Sequence, residues 1–286
     1  MKIGVSSYSF SKYIVNEKAN YIDVCNKAKE MGFDGIEFVD LDWKSWGLSA
    51  DPIATAKEIK AHCESIGLEI VAYTVGGNML AEDIAAEVER LKGCVRVCAE
   101  LGAPVMRHDV CYALPKKHLY NWQSAIEDMV GPIREICDYA ESLGIRTCVE
   151  NHGRIFQAPE RVEALIRAVD RKNYGWLVDI GNFMCADCRP DVSCGIGAPY
   201  AFHVHAKDFI YKSGTEARPN GFFGTAGGNH LRGTVVGHGV VPVRNCIEIL
   251  KGVGYDGWIS VEFEGMEDCL PAIKAGFENL KALVSD

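Results

Sequence analysis

The chain has 286 residues, of which 48% are hydrophobic and 24% are charged, and these values exclude a disordered, collagenous or coiled-coil protein. Lysine and arginine number 30 against 39 aspartates and glutamates, so the formal net charge is −9. This charge disfavours nucleic acid and anionic membranes as partners, because both reward a basic surface. No signal-peptide core and no membrane-spanning run is apparent, so we expect a cytoplasmic protein.

Eight short strands, mostly rich in β-branched and other apolar residues, alternate with segments of helical period along the chain. The strands are predicted at residues 3–6, 35–39, 69–73, 104–107, 146–150, 176–179, 201–205 and 258–262. Helices are predicted at residues 22–31, 52–66, 84–101, 126–143 and 159–169. Several helices are followed by a glycine suited to a left-handed cap, namely Gly32, Gly67, Gly102 and Gly144.

This alternation predicts an α/β fold: one (β/α)8 TIM barrel that spans residues 1–286 as a single domain. A doubly wound open sheet is the alternative, but it would more often carry a glycine-rich phosphate turn after its first strand, and residues 6–10 are SSYSF. The longest interval separates strands seven and eight. It contains the glycine-rich residues 214–239, for which we expect an inserted loop that acts as a mobile lid over the active face.

The twelve cysteines indicate neither a disulfide framework nor a zinc site. Most of them lie in apolar segments, where free thiols behave as small hydrophobic side chains. The close group is Cys185 and Cys188, with Cys194 nearby, and a CxxC pair without a second pair is weak evidence for zinc. We therefore expect free thiols.

Four consecutive predicted strands carry an ionisable residue at the end: Glu150, Asp179, His205 and Glu262. The carboxyl ends of barrel strands face one shared pocket, where three carboxylates would repel one another unless a cation neutralised them. Three oxygen ligands and one imidazole suit a single divalent metal, with Mn²⁺ the best match and Mg²⁺, Co²⁺ or Zn²⁺ as alternatives. The sequence thus predicts one metal site.

Four segments also carry a resemblance to a known family: residues 149–152 (VENH), 178–182 (VDIGN), 203–208 (HVHAKD) and 259–262 (ISVE). With these segments the whole chain resembles the xylose isomerase-like TIM-barrel superfamily, in particular its sugar phosphate isomerase/epimerase branch. The resemblance implies that Glu150, Asp179, His205 and Glu262 bind the metal. It also implies a sugar substrate, with Glu150 and Glu262 exchanging a proton next to a carbonyl while the metal stabilises the enediolate.

Two departures from the family pattern open an alternative. Asn182 stands where many relatives have the histidine of a D-x-x-H segment, and His152 lies two residues beyond Glu150 on the same side of the strand. This pattern resembles the catalytic α subunit of C-glycoside deglycosidases. It implies a carbon–carbon lyase that eliminates the aglycone from a 3-oxo-glycoside, with His152 as the base. A role for His152 in orienting a metal ligand is the other interpretation.

Six further polar residues are candidates for substrate contacts: Arg107, His108, Asn182, His203, Lys207 and His238. An arginine at the end of strand four can hold a sugar hydroxyl or a phosphate, whereas pairing of Lys207 with Asp208 is a simpler role for that lysine. Candidates for an apolar wall against the sugar are Tyr8, Tyr73, Trp43 and Trp46, although packing between helices explains the tryptophans equally well.

Other protein classes agree less well with the sequence. Abasic-site endonucleases share the barrel and bind metal, but they need additional histidine ligands and a DNA-binding face, and both Asn182 and the −9 charge argue against them. A non-catalytic binding barrel is the remaining alternative. As partners we expect a small-molecule sugar or glycoside and either a second copy of the chain or a small accessory subunit.

Overall fold

Strands and helices alternate through the computed structural model, which describes residues 1–41, 51–118 and 121–285. Strands β1 to β7 cover Lys2–Ser6, Gly35–Val39, Glu69–Val75, Val105–His108, Arg146–Glu150, Tyr174–Asp179 and Ala201–Ala206. Strands β8 to β11 cover Asp208–Lys212, Phe223–Gly224, His230–Thr234 and Trp258–Val261. Helices α1 to α9 cover Ser11–Glu17, Tyr21–Met31, Pro52–Ile66, Ile84–Leu101, Trp122–Ser142, Pro159–Val169, Pro190–Gly197, Val243–Gly252 and Cys269–Ser285.

Eight of these strands form a closed parallel barrel in the order β1-β11-β7-β6-β5-β4-β3-β2. The predicted (β/α)8 barrel is therefore confirmed. Parallel neighbours require crossover connections, and the helices that make them cover the apolar outer face of the barrel. The strand register brings the predicted site residues to one level, since Asp179 on β6 pairs with His205 on β7 and Val261 on β11 pairs with Ala206.

Glycine caps return three of the helices to the barrel, as their sequences predict. Helices α2, α3 and α4 end at glycines with φ of +96°, +64° and +76°, a conformation that costs glycine little. The apolar residue after each cap donates its backbone N–H to the last helical turn: Phe33 to Ala28, Leu68 to Cys63 and Ala103 to Cys98. These bonds aim the chain directly into the following strand.

The segment after β7 differs from the glycine-rich loop that we predicted. It forms a three-stranded antiparallel sheet in the order β8-β10-β9, which begins at Asp208, well before residue 214. The run Phe209, Ile210 and Tyr211 has the aromatic and β-branched character of a strand, and it pairs with residues 230–234. We call β8, β9, β10 and their connections (residues 208–241) the added sheet. Its mobility remains a prediction.

Asp208 anchors the added sheet to the barrel. Its carboxylate accepts backbone N–H bonds from Gly237 at 2.9 Å, Gly239 at 2.9 Å and Val241 at 3.0 Å, as well as from Phe209 at 2.8 Å. The chain returning from β10 is thereby held against the start of β8. Asp208 consequently has a structural role and forms no ion pair with Lys207 among the described residues.

Two further expectations concern the oxidation state of the cysteines and the possibility of a membrane-spanning helix. All twelve cysteines are free thiols, and most are buried. Within the described ranges, the helices fall short of the combined length and apolar character that crossing a membrane requires.

The Asp208 anchor leads to a stability prediction. Asp208→Asn replaces one carboxylate oxygen by an amide NH₂ group, which cannot accept a hydrogen bond. At least one of the backbone N–H groups bound to Asp208 then loses its acceptor, so the variant should lose about 1–3 kcal/mol of unfolding free energy. Urea denaturation of the variant and of exposed Asp256→Asn measures the difference. Equal midpoints for Asp208→Asn and the control would contradict the anchor.

Candidate metal centre and active site

Four side chains converge at the carboxyl end of the barrel. Glu150, Asp179, His205 and Glu262 each offer a ligand atom, and the four atoms lie within 4.8 Å of one another. All four residues are buried. From His205 Nδ1 the nearest oxygens of Glu262, Glu150 and Asp179 lie at 3.4, 3.8 and 3.9 Å. The structure thus brings together the four predicted ligands, which we call the acidic cluster.

Four buried atoms of the acidic cluster make no hydrogen bond of regular geometry with a described residue: Glu150 Oε2, Asp179 Oδ2, His205 Nδ1 and Glu262 Oε2. The three oxygens among them are in contact with cationic side chains, Arg107 and Lys207. Leaving such atoms unsatisfied in a buried site is costly. Because they face one another, a single divalent cation would satisfy all four, so the cluster fits the O₃N site that the sequence predicts.

Glu37 orients the histidine of the acidic cluster. Its two carboxylate oxygens lie 2.8 and 2.9 Å from His205 Nε2, and one of them is also 2.7 Å from His203 Nε2. When Nε2 of His205 carries the proton for this bond, Nδ1 is left to face the three carboxylates. Burial alone would raise the pKa of Glu37, but His205 and His203 outweigh it and hold that pKa well below its usual range.

Asparagines fix the carboxylates of the acidic cluster. Asn182 donates from Nδ2 to Glu150 Oε1 at 2.9 Å, and its Oδ1 lies 3.3 Å from Lys207 Nζ. Asp179 Oδ1 accepts the backbone N–H groups of Gly181 at 2.8 Å and Asn182 at 2.9 Å. Asn151 bonds both the N–H and the C=O of Asp179. Asn182 therefore holds a predicted ligand in place and is not itself part of the ligand set.

Two cationic side chains partly balance the carboxylates. Lys207 Nζ lies 2.6 Å from Glu262 Oε2, 3.4 Å from Asp179 Oδ2 and 3.3 Å from Glu264 Oε2. Arg107 Nη2 lies 2.5 Å from Glu150 Oε2. These are the oxygens that would bind a metal ion, so a bound cation would compete with Arg107 and Lys207 for them.

The environment of the acidic cluster favours protonation of Asp179 and His205. Burial raises the pKa of Asp179 to about 7; Lys207 opposes this rise, whereas the charges of Glu262 and Glu150 add to it. Burial lowers the pKa of His205, but Glu37 and Glu262 outweigh burial and raise it well above its ordinary value. A divalent cation would displace these protons, so metal binding competes with protonation at this site.

His152 forms a second functional pair beside the acidic cluster. Its Nδ1 lies 3.0 Å from Asp109 Oδ1, and Asp109 is held in turn by Arg107 at 3.2 Å and by the hydroxyl of Tyr112 at 2.8 Å. The pKa of His152 is raised: burial lowers it, but the bond to Asp109 and the charge of Glu150 outweigh that effect. With Nδ1–H donated to Asp109, Nε2 is available to exchange a proton.

Two adjoining cavities open above the acidic cluster. The inner cavity, of about 300 Å³, is lined by Glu150, Glu262, Arg107 and the His152 pair, and Tyr8 closes one side. The outer cavity, of about 580 Å³, lies between the barrel and the added sheet. His152, Lys207 and Glu264 line both cavities, which therefore adjoin each other.

Three predicted substrate contacts lie away from both cavities. His203 is buried behind Glu37, where it also lies 3.0 Å from Ser260 Oγ. His108 is buried, and its Nδ1 bonds the backbone carbonyl of Asp109 at 3.1 Å. His238 is exposed in the turn after β10. None of these histidines lines either cavity in the described structure, and their role as substrate contacts stays a prediction.

Of the aromatic residues predicted to form a wall against the sugar, Tyr8 lines a cavity and Tyr73 does not. Tyr8 lines the inner cavity, and burial together with the charge of Glu264 raises its pKa to about 12. Tyr73 is buried, and its hydroxyl accepts the backbone N–H of Leu41 at 3.4 Å. Trp43 and Trp46 lie outside the described residues.

Three acidic residues of this site have no role in the prediction from the sequence: Glu37, Asp109 and Glu264. Each is an acidic residue at or just beyond a barrel strand, the same signal that identified the acidic cluster. Glu37 shows the signal most clearly, because it interrupts the apolar run of β2 and is fully buried.

Glu37 provides a test of the site that does not depend on activity. Glu37→Gln keeps the size of the side chain but removes the charge that orients His205, so the dissociation constant for Mn²⁺ should rise about 10–100-fold. Calorimetric titration of the purified variant measures it, with Glu248→Gln on the surface of α8 as the control. Mn²⁺ affinity within twofold of the parent chain would show that Glu37 does not support the site.

Comparison with known proteins agrees with this architecture. A family model described as xylose isomerase-like TIM barrel matches residues 25–283. The chain is 26% identical to the rhizopine catabolism protein MocC of Rhizobium meliloti over 79% of this chain and 73% of the relative. An inosose dehydratase of Yersinia enterocolitica is 28% identical over 55% of this chain and 51% of its own length. Epimerases and dehydratases thus stand among the similar proteins.

Solved structures show the same fold at lower sequence identity. The IOLI protein, solved with a zinc atom, superposes with a TM-score of 0.78 at 18% identity, covering 100% of this chain and 98% of the other. D-psicose 3-epimerase with D-tagatose from Clostridium cellulolyticum H10 gives a TM-score of 0.75 at 16% identity, with 99% of both chains covered.

Proposed function

The chain belongs to the xylose isomerase-like TIM-barrel family, and on that premise we propose that it is a divalent-metal-dependent sugar isomerase or epimerase. The observation that carries this proposal is the convergence of four potential ligand atoms, all within 4.8 Å of one another, beside a cavity that Glu150 and Glu262 line. The ligand set of three oxygens and one nitrogen favours Mn²⁺ as the metal. Relatives named as an epimerase and as dehydratases support an enzyme that works on a polyhydroxy ketone.

The reaction begins with removal of a proton from the carbon next to a carbonyl. The electron pair moves onto the carbonyl oxygen, and the proton returns either to the opposite face of the same carbon or to the neighbouring carbon. A divalent cation in the acidic cluster would supply the positive charge that stabilises the negative oxygen of this step. The side chains of the chain itself must then deliver and collect the proton.

Glu150 and Glu262 are the proposed proton carriers. Both line the inner cavity, and both are held from behind, Glu150 by Arg107 and Asn182 and Glu262 by Lys207. Burial by itself raises the pKa of Glu262, but Lys207 and His205 outweigh it and keep that pKa well below its ordinary value. Glu262 is therefore ionised at neutral pH and able to accept a proton.

A second reaction type, elimination, is favoured by the pair of His152 and Asp109. Asp109 bonds Nδ1 of His152 and leaves Nε2 facing both cavities, which is the arrangement of a positioned general base. After His152 removes the same proton, a group leaves from the next carbon. The leaving group is water in a dehydratase and the aglycone in a lyase acting on a 3-oxo-glycoside. This alternative shares the metal and the first step with the proposed isomerase.

The metal content tests the common part of both reactions. We expect about one divalent metal per chain, because the described residues provide one convergent set of four potential ligands. Glu150→Gln combined with Asp179→Asn should abolish binding, whereas Glu248→Gln combined with Asp256→Asn on the surface should leave it intact. Elemental analysis of the three proteins measures the ratio. Full metal content in the cluster variant would refute the assignment.

The rate of a His152→Ala variant separates the two reaction types. If the glutamates carry the proton, the loss in kcat/KM should be about tenfold; if His152 is the base, it should be about 10²–10⁴-fold. Ketoses and 3-oxo-glycosides that carry deuterium on the carbon next to the carbonyl are the substrates, and the release of this deuterium to the solvent measures the rate. His62→Ala on α3 is the matched control, and metal content must be equal in all three proteins. A metal-replete His152→Ala enzyme with a near-normal rate would exclude the histidine base.

A further inference from the structure

The outer cavity carries positive charge that the metal site does not use. Arg154, in the loop after β5, and Arg218, between β8 and β9, both line it. Neither guanidinium forms an ion pair or a hydrogen bond with another described residue. The chain as a whole is negative, with a net charge of −9, whereas these two unpaired arginines bring positive charge to one cavity. Such a cavity attracts an anion.

The acidic residue of the outer cavity is already engaged. Glu264 Oε2 lies 3.3 Å from Lys207 Nζ, and Glu264 Oε1 accepts a hydrogen bond from the hydroxyl of Tyr8 at 3.4 Å. Its carboxylate is thus directed toward the inner cavity. The backbone at Arg154 is fixed as well, since its N–H donates to Gln157 Oε1 at 3.2 Å. The two arginines, both solvent-exposed, therefore line the outer cavity without an ion-pair partner among the described residues.

A ligand that reacts at the acidic cluster can reach these arginines. His152, Lys207 and Glu264 line both cavities, so the outer cavity directly adjoins the reaction centre. The inner cavity, at about 300 Å³, is at the lower end of the range for small-molecule sites. A sugar that places its carbonyl in the inner cavity consequently directs its other end toward Arg154 and Arg218.

We propose that the substrate bears an oxyanion group, a phosphate or a carboxylate, at the end remote from its carbonyl, and that Arg154 and Arg218 bind this group. The planar guanidinium fork matches both oxyanions with paired N–H donors. This inference rests on the proposed function only for the position of the reacting end. It defines the substrate class as anionic sugars and distinguishes them from neutral ketoses and neutral glycosides.

Binding of matched ligands to the manganese-loaded chain tests this inference. D-fructose 6-phosphate and D-fructuronate are the charged probes, and D-fructose is the neutral one, so the two charged arms distinguish phosphate from carboxylate. At least one charged sugar should bind about tenfold or more tightly than D-fructose. Arg154→Gln combined with Arg218→Gln should remove that advantage and leave the affinity for D-fructose within twofold.

The matched control carries the same loss of charge elsewhere. Arg167→Gln combined with Arg171→Gln removes two surface arginines that pair with Glu163 and Asp138, and it should retain the preference for the charged sugar. Inorganic phosphate and acetate, titrated into the metal-free protein, provide a sugar-independent arm. At least one of them should bind the parent chain and the control more tightly than the Arg154/Arg218 variant.

The inference is overturned if the parent chain and the Arg154/Arg218 variant bind all of these anions equally, including the case in which neither binds any. It is also overturned if charged and neutral sugars bind the parent chain equally. Because binding is measured without turnover, failure of the proposed reaction is seen separately. A preference for anions without proton exchange refutes the reaction alone, and turnover of neutral ketoses without such a preference refutes the anion site alone.

Discussion

The mutual repulsion of buried carboxylates governs the architecture of this protein. Arg107 and Lys207 pair with buried carboxylates of this group. Five buried carboxylates surround the carboxyl end of the barrel: Glu37, Asp109, Glu150, Asp179 and Glu262. Such an excess of negative charge away from water is costly unless protons or a cation compensate it. Burial and the neighbouring carboxylates raise the pKa of Asp179, which favours its protonated form. A divalent metal is the stronger compensation, and the four convergent ligand atoms fit it.

The barrel explains how these groups are held together in spite of their repulsion. Each lies in or just after a strand of the barrel, and the strands are packed into the buried core, so the free energy of the core opposes any movement apart. Glu37 accepts a hydrogen bond from His205, Asn182 donates one to Glu150, and Asn151 bonds the backbone of Asp179, so these contacts fix the positions of individual residues. The cluster is therefore organised before any ligand arrives, which is the condition for precise electrostatic stabilisation of a developing charge.

The sequence predicts the barrel and the acidic cluster because both depend on local patterns. Apolar runs ending in Glu150, Asp179 and His205 show the strands and their functional ends at once. The acidic side chain of Glu37 within apolar β2 is a local signal, but its role is not, because that role depends on a contact between β2 and β7, which are not neighbours in the barrel. The glycines of the added sheet predict a loop, so the sequence did not reveal its strands. Arg218 lines the outer cavity because the connection between β8 and β9 places it there, which the sequence alone does not show.

Anomalous X-ray diffraction from crystals of the manganese-loaded protein tests the central claim most directly. The account predicts one strong peak at the manganese edge, about 2.0–2.3 Å from atoms of Glu150, Asp179, His205 and Glu262. A second group of residues, Glu37, His203 and His205, could also hold a cation. A peak between these three residues, or no peak at the acidic cluster, would contradict the account.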